Sequence, residues 1–364
     1  MSVVIPAYNA EATVRRTLES AASQTHRNIE IIIVDDGSTD STADIVSQFA
    51  SIDPRATVLR QGNLGVAAAR NSGMNHASGD YIAPLDADDI WHPTKIEKQL
   101  RVIERRSSIG LVYTWYRIID EADRVIETPA PALARGHVFT WLIVENFIGN
   151  ASSPLIRKSI LEQSGGYDIS LRAAGAEGAE DLRMQFDIAS LAEVDFVPEY
   201  LVGYRRSSGA MSAKYQTMLR SQYLVLKHIR QHWPTLPRKL FRWSEGEAAA
   251  YYGMLLASKD RRAGIGLLAL AINKDPVAAW HLIAKPVYRN LRRKIGKNCR
   301  RIIPSGSRLG VRRHNVNDDA SCIGRAFSDA DPAVMWTSEP PSWNRQRIRI
   351  AQIYQDPQTP SGRE

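Results

Sequence analysis

The chain of 364 residues reads as an α/β fold, a mostly parallel central sheet flanked by helices, with an α-helical C-terminal appendage. Three observations predict this. Short apolar runs alternate with helix-periodic segments through the first 115 residues, the pattern of strands joined by crossover helices. The run Ile29-Glu30-Ile31-Ile32-Ile33-Val34 is apolar almost without a break, as a strand covered on both faces must be. Several strands also end on polar or acidic groups, as strands of an open sheet do where they face a ligand crevice.

The elements follow in order. A first strand over 2–6 leads into a helical pattern over 11–23, and the second strand, 29–34, leads into a helix over 39–49 with Asp40 and Ser41 in its first turn. A short strand at 57–59 precedes a helix over 64–76, whose small residues Val66-Ala67-Ala68-Ala69 allow close approach to a sheet. The next strand, 81–85, is followed by a helix over 93–105 and an apolar strand at 111–115. Beyond residue 120 the pattern loosens. Thr128-Pro129-Ala130-Pro131 reads as a loop, and 151–166 and 172–192 read as helices around the Gly/Ala-rich run 173–179. Residues 214–232 are helical. Ser244-Glu245-Gly246-Glu247 has the form of a capping box ahead of a helix over 248–259. A further helix spans 263–273, with Asp275-Pro276 suited to start another. From about residue 303 turn formers replace periodicity, so the tail is expected to be poorly ordered or loosely docked.

Composition bounds the function classes. A hydrophobic content of 44% is that of a soluble globular protein, and no stretch approaches the roughly 20 apolar residues of a membrane span. Met1-Ser2-Val3-Val4-Ile5 enters a strand at once, leaving no room for a signal peptide. The two cysteines, Cys299 and Cys322, form no metal or disulfide framework. A cytoplasmic chain is the expectation. The net charge of +8 is local: residues 285–313 hold eleven Lys/Arg and no acid, and without them the chain stands at −3. This speaks against a nucleic-acid-binding core. A solvated helix is the plainer account of the segment, and a helix lying on the anionic inner membrane face is the sharper one.

The chemistry concentrates where strands end. The first strand runs into Pro6-Ala7-Tyr8-Asn9, the second into Asp35-Asp36-Gly37-Ser38-Thr39-Asp40, and a later one into Asp86-Ala87-Asp88-Asp89. Like charges packed so closely repel unless a cation joins them. Carboxylates at a binding rim suit a hard divalent ion, Mg²⁺ or Mn²⁺, which takes its remaining ligands from phosphate oxygens and water. A phosphorylated substrate follows, most economically a nucleotide. Neither GxxxxGK[ST] nor GxGxxG after the first strand is present, so kinase-type and NAD-type readings lose their main support.

In order and spacing, Val3-Val4-Ile5-Pro6-Ala7-Tyr8-Asn9, Val34-Asp35-Asp36-Gly37-Ser38-Thr39-Asp40, Asn63-Leu64-Gly65 with Ala69-Arg70-Asn71, Gly79-Asp80-Tyr81-Ile82 and Asp86-Ala87-Asp88-Asp89 resemble the motifs of family-2 glycosyltransferases, inverting enzymes of the GT-A fold that use nucleotide-diphospho-sugars. The resemblance is strong to residue 105, weaker to about 213, and absent beyond about 240. It implies a GT-A domain over 1–213, with a nucleotide-sugar half (1–105) and an acceptor half (106–213); the sequence pattern adds a helical region over 214–300 and a tail over 301–364.

The same resemblance implies roles. Pro6, Ala7, Tyr8 and Asn9 would line base and ribose, Asp36 would accept from a uracil ring, and Arg70 would face the nucleotide. Asp86-Ala87-Asp88 resembles the DxD motif, with Asp88 the chief metal ligand, Asp86 nearer ribose or metal-bound water, and Asp89 outside the ligand set. Glu180-Asp181 resembles the ED motif that supplies the base; Asp181 is the first choice and Glu180 the second. Arg205, in Tyr204-Arg205-Arg206-Ser207, would contact the diphosphate. Ser207 stands where the family pattern often has histidine, so Asp88 with phosphate and water would have to hold the metal. Trp91 reads as packing, with stacking on a sugar as the alternative. The implied reaction moves a sugar from a UDP-linked donor to a glycan or lipid-linked acceptor, in cell-surface polysaccharide or glycoconjugate synthesis. A transferase acting on polyprenyl phosphate, or a silent domain that binds nucleotide-sugar, stays open as an alternative.

Overall fold

The computed structural model describes residues 1–207 and 214–280, and these fall into two compact units divided after Leu240. In the first unit nine strands form one sheet in the order β3-β2-β1-β4-β8-β6-β9-β5, with β7 paired to β6. Four of them, β1 (Ser2–Ala7), β2 (Glu30–Asp35), β3 (Ala56–Arg60) and β4 (Tyr81–Pro84), pair in parallel around β1. Ile31, Ile32, Ile33 and Val34 are fully buried, as their continuous apolar character requires. The helices α1 (Val14–Ala22), α2 (Thr42–Ile52) and α3 (Val66–His76) make the crossovers. Gly73 sets how closely α3 seats on the sheet, since a Cβ there would lie 2.4 Å from Val4 Cγ1.

Register positions the site. Ala7 lies opposite Asp35, the Asp36 N–H donates to the Ala7 carbonyl at 2.8 Å, and the Leu85 N–H donates to the Val4 carbonyl at 2.9 Å. The ends of β1, β2 and β4 therefore open at one rim. Beyond β4 the sheet is mixed. β8 (Leu155–Arg157) runs antiparallel between β4 and β6 (Ile109–Ile119), β6 pairs in parallel with β9 (Glu193–Arg205), and β5 (Ile90–Trp91) runs antiparallel to β9. The helix α4 (Lys95–Ile103) packs on β6 and β9. The β6–β9 register skips at Thr114/Trp115, where Val197 and Tyr200 are the successive partners. Pro198 lies in the skipped stretch, and its missing N–H suits a bulge.

The sequence reading needs correction in this second half. Residues 151–166 are not one helix: Ser152 and Ser153 lie in a turn, β8 follows, and α6 (Lys158–Gln163) is short. Gly165 and Gly166, both at positive φ, end it. The helix expected over 172–192 is two, α7 (Ser170–Ala173) and α8 (Glu180–Leu191), parted by Gly175 (φ 62) and Gly178 (φ 111). The 13-residue β9 was not expected at all.

α9 (Tyr215–His232) packs on α8 within the first unit, so that unit extends past residue 213. The second unit holds α11 (Arg261–Lys274) and α12 (Pro276–Ala279) together with most of α10 (Arg238–Ala257). Its small core joins Ala249, Ala250, Ala271 and Ala279. Ser244 is no cap: it lies buried inside α10, which begins six residues earlier. The cap that does form is Asp260, which accepts from the Ala263 N–H at 3.0 Å and starts α11. The tail expected over 301–364 and the basic segment 285–313 lie outside the described residues.

Candidate functional site

The site gathers at the rim where β1, β2 and β4 end. After β1, Pro6 and Ala7 are buried, Tyr8 is about half exposed at 48%, and Asn9 takes a left-handed φ of 47°. That conformation, which asparagine tolerates, lets Asn9 Oδ1 accept from the Thr39 N–H at 2.8 Å while the Asn9 N–H donates to Ser38 Oγ. The loops after β1 and β2 are thereby stitched together. Asp36 is buried, and its carboxylate accepts from Gln61 Nε2 and from the Leu64 and Gly65 N–H groups, each at 2.8 Å. These bonds shape the turn into α3.

The acidic loop after β4 is held from beneath. Ser152 Oγ accepts from the Asp86 N–H at 3.0 Å and donates to Asp89 Oδ2 at 2.6 Å. Thr17 Oγ1 donates to the carbonyls of Ala87 and Asp89. Asp89 is fully buried, and burial followed by the charges of Asp88 and Asp86 holds its carboxyl well above the usual range. Asp86 and Asp88 remain partly exposed on the crevice side. Burial, then the neighbouring Asp86 charge, raises Asp88 to about 6.

Arg205 has a different task from the phosphate contact expected of it. It is fully buried, with Nε donating to the Asp88 carbonyl at 2.7 Å, Nη1 to the Asp120 carbonyl, and Nη2 to the Asp123 carboxylate. Its own N–H donates to Asp89 Oδ1 at 2.8 Å. The guanidinium is spent on bracing the acidic loop from the end of β9. Trp91 is likewise a packing residue, 1% exposed, with Nε1 donating to the Ser152 carbonyl.

Arg70 joins the two acidic motifs. It is buried on α3, donates from Nη2 to Asp86 Oδ1 at 2.6 Å and from Nη1 to Glu180 Oε1 at 2.8 Å, and lies 5.3 Å from the Tyr167 ring centroid. Burial opposes its charge, but Asp86 and Glu180 outweigh this and hold it well above an ordinary arginine. Glu180 Oε2 accepts from the Gly178 N–H, so both of its oxygens are engaged. Asp181 has one hydrogen bond, from the Leu182 N–H to Oδ1, and burial followed by the Glu180 charge raises its carboxyl to about 7.

Ser152, Tyr167, Asp120 and Asp123 escaped the sequence reading. Tyr167 is 3% exposed, its hydroxyl is unpartnered, and burial, offset in part by the Arg70 charge, pushes its phenol well above the usual range. Asn71 fixes it, exchanging hydrogen bonds with the Tyr167 main chain at 2.8 Å each way. The Asn71 beside Arg70 in the sequence was the one available signal.

Two carboxylates at the rim fit a divalent ion that arrives with a diphosphate. Among the described residues no group of three His, Cys, Asp or Glu could hold a metal alone, so phosphate and water would complete the shell. Burial and the Asp86 charge raise the cost of ionising Asp88, and a cation there relieves it.

Comparison with known proteins agrees with this architecture. Residues 2–163 match the model described as glycosyl transferase family 2. An uncharacterized glycosyltransferase of Rickettsia felis is 33% identical over 209 residues, 57% of this chain and 33% of its own. The Escherichia coli UDP-Glc:alpha-D-GlcNAc-diphosphoundecaprenol beta-1,3-glucosyltransferase WfaP is 47% identical over 127 residues, 35% of this chain and 49% of its own. The mannosyltransferase PcManGT of Pyrobaculum calidifontis, solved with GDP-Man and Mn²⁺, superposes with a TM-score of 0.53 over 80% of each chain at 17% identity, a likeness of fold. The chain spans only 20% to 33% of the length of the first curated relatives it matches. The fold is GT-A, and residues 2–163 of the chain match glycosyl transferase family 2.

Proposed function

We propose that this protein is a metal-dependent, inverting glycosyltransferase that moves a sugar from a nucleotide-diphospho donor to a glycan or lipid-linked acceptor. One observation carries the reading: Arg70 ties Asp86 of the acidic rim to Glu180 beside a carboxyl, Asp181, poised at about 7. A donor-side acidic rim and the residue next to an acceptor-side base are thus held to one guanidinium.

The residues divide the work. Tyr8 and Asn9 offer a face to base and ribose, and Asp36 keeps the 61–65 turn in place beside them. Asp88, aided by Asp86, would hold Mg²⁺ or Mn²⁺. When bound, the ion supplies positive charge for the leaving diphosphate. Asp181 takes the proton of the acceptor hydroxyl as that oxygen attacks the anomeric carbon from the face opposite the leaving group. Glu180, paired through both oxygens, fixes the start of α8 beside Asp181. Arg70 keeps Asp86 from drifting and screens the two motifs from each other's repulsion.

A UDP-linked donor and a lipid-linked acceptor find support in WfaP, whose name carries both. Incubation with a panel of UDP-, dTDP- and GDP-sugars, reading released nucleotide with Mn²⁺ or with EDTA, tests the proposal. Release from one donor, dependent on metal and acceptor, is expected. No release from any donor with glycan, diphosphopolyprenol and polyprenyl-phosphate acceptors would leave a silent binding domain instead.

A further inference from the structure

α9 carries two histidines near its end, His228 and His232, one helical turn apart and so on one face. Their rings lie face to face, with centroids 3.7 Å apart and planes 25° from parallel. His228 is half-buried, and burial followed by the Arg183 charge holds its imidazole down at about 4. It is therefore a free base at neutral pH, and its ring nitrogens have no hydrogen-bond partner among the described residues. His232 is exposed, and its Nδ1 lies 3.0 Å from the His228 carbonyl. A carbonyl only accepts, so Nδ1 carries the hydrogen and the lone pair of the neutral ring is at Nε2. An imidazole whose other nitrogen donates to a carbonyl is oriented as metal-ligating histidines are.

The surroundings tolerate a cation. Arg183 of α8 is spent on two carboxylates, with Nε 2.8 Å from Asp187 and Nη1 3.3 Å from Asp168. Asp168 acts on the charge of His228, and His232 on that of Asp187. Two acids thus answer one guanidinium beside the rings. Lys227 and Arg230, the other cations of this turn, stand on other faces of α9 at 3.6 residues per turn. The helix C-terminus adds the negative end of its dipole. The frame is also fixed: α9 packs on α8, and Trp233, next after His232, meets Phe139 with ring centroids 4.7 Å apart.

We propose that His228 and His232 form a binding site for a divalent transition-metal ion of the zinc class, separate from the acidic rim. Two nitrogens bound to one tetrahedral zinc at about 2.0–2.1 Å stand about 3.3 Å apart, close to the 3.7 Å between these rings. A small turn of the His228 ring converges them. No third His, Cys, Asp or Glu among the described residues is placed to join, so water completes the shell. Imidazoles suit zinc, whereas a carboxylate rim suits Mg²⁺ or Mn²⁺. The inference does not rest on the proposed transfer reaction.

Calorimetry of the full chain with Zn²⁺ tests it. Saturable binding is expected, kept in Asp88→Ala and not displaced by Mg²⁺. His232→Phe retains a stacked ring at an exposed position and removes the ligand nitrogen, and an unchanged melting temperature without zinc verifies its fold. It and His228→Asn should each bind at least about tenfold more weakly, since losing even a ligand's hydrogen-bond partner costs about 10–100-fold. Zn²⁺ should raise the melting temperature of the parent and of Asp88→Ala but not of His232→Phe. The absence of saturable binding overturns the proposal. Parent-like affinity in both histidine variants does so too, because the ligands then lie elsewhere. Loss of binding in Asp88→Ala would give the ion to the acidic rim and equally overturn it.

Discussion

Arg70 and Glu180 meet at 2.8 Å across 110 residues of sequence, and the same guanidinium grips Asp86 at 2.6 Å. Neither contact is local, and both are sheltered from water: Arg70 and Glu180 are 3% and 5% exposed. A buried charge is tolerable only while its partners stay. The arrangement therefore couples the stability of the domain to the geometry of its candidate site.

Replacing Arg70 with methionine should leave Glu180 and Asp86 uncompensated and lower stability by about 3–5 kcal/mol. Lysine preserves the charge but presents no fork that spans two carboxylates. Arg70→Lys should recover part of the melting temperature and little of the turnover, as thermal denaturation and nucleotide release will read.

Asp181→Asn should lower turnover by roughly 10²–10⁴-fold with UDP affinity unchanged by calorimetry. Since the Asp181 carboxyl sits at about 7, it is protonated and idle at pH 5.5–6 and ionised at pH 8 or above (about one unit either side). Turnover should therefore rise with pH through about 7. Stability runs the other way. The folded state holds a proton that the unfolded chain releases near the ordinary aspartate value of 3.8, so this contribution is full below that value and is lost as pH rises to about 7. Asp181→Asn should flatten that loss in a pH series of melting curves.

Asp88→Ala should abolish the Mn²⁺-dependent part of nucleotide-sugar affinity and leave the melting temperature close to the parent's. Burial and the Asp86 charge make an ionised Asp88 costly without a cation. Added Mn²⁺ should accordingly stabilise the parent more at pH 7 than at pH 5, and the variant at neither. Calorimetry and melting curves with and without EDTA measure both effects.

Arg205→Ala tests whether this arginine braces or binds. It would free the Asp88 and Asp120 carbonyls and the Asp123 carboxylate in a buried place. A loss of about 3 kcal/mol or more is expected, with nucleotide affinity lost only as the fold is lost. Unchanged stability with weakened diphosphate binding would return Arg205 to the ligand.

Much of this was written along the chain. Ile29 to Val34 could only be an interior strand, and the strand ends at Pro6-Ala7-Tyr8-Asn9, Asp35-Asp36 and Asp86-Ala87-Asp88 announced their rim, because apolar continuity and abrupt acidity are local properties. β9 was less legible. Its residues alternate poorly, and its place between β6 and β5 comes from pairing with strands about 80 to 110 residues distant.

The sequence by itself determined the class of fold, the acidic rim and the two carboxylate pairs on which the proposed chemistry rests. Only the tertiary structure decided that Arg205 is sealed behind the acidic loop, that Asp36 shapes a turn, and that Arg70 is the joint between Asp86 and Glu180. The reason is physical: a residue's type and spacing limit what it can do, but which partner compensates a buried charge is set through space, by segments that meet only when the sheet closes.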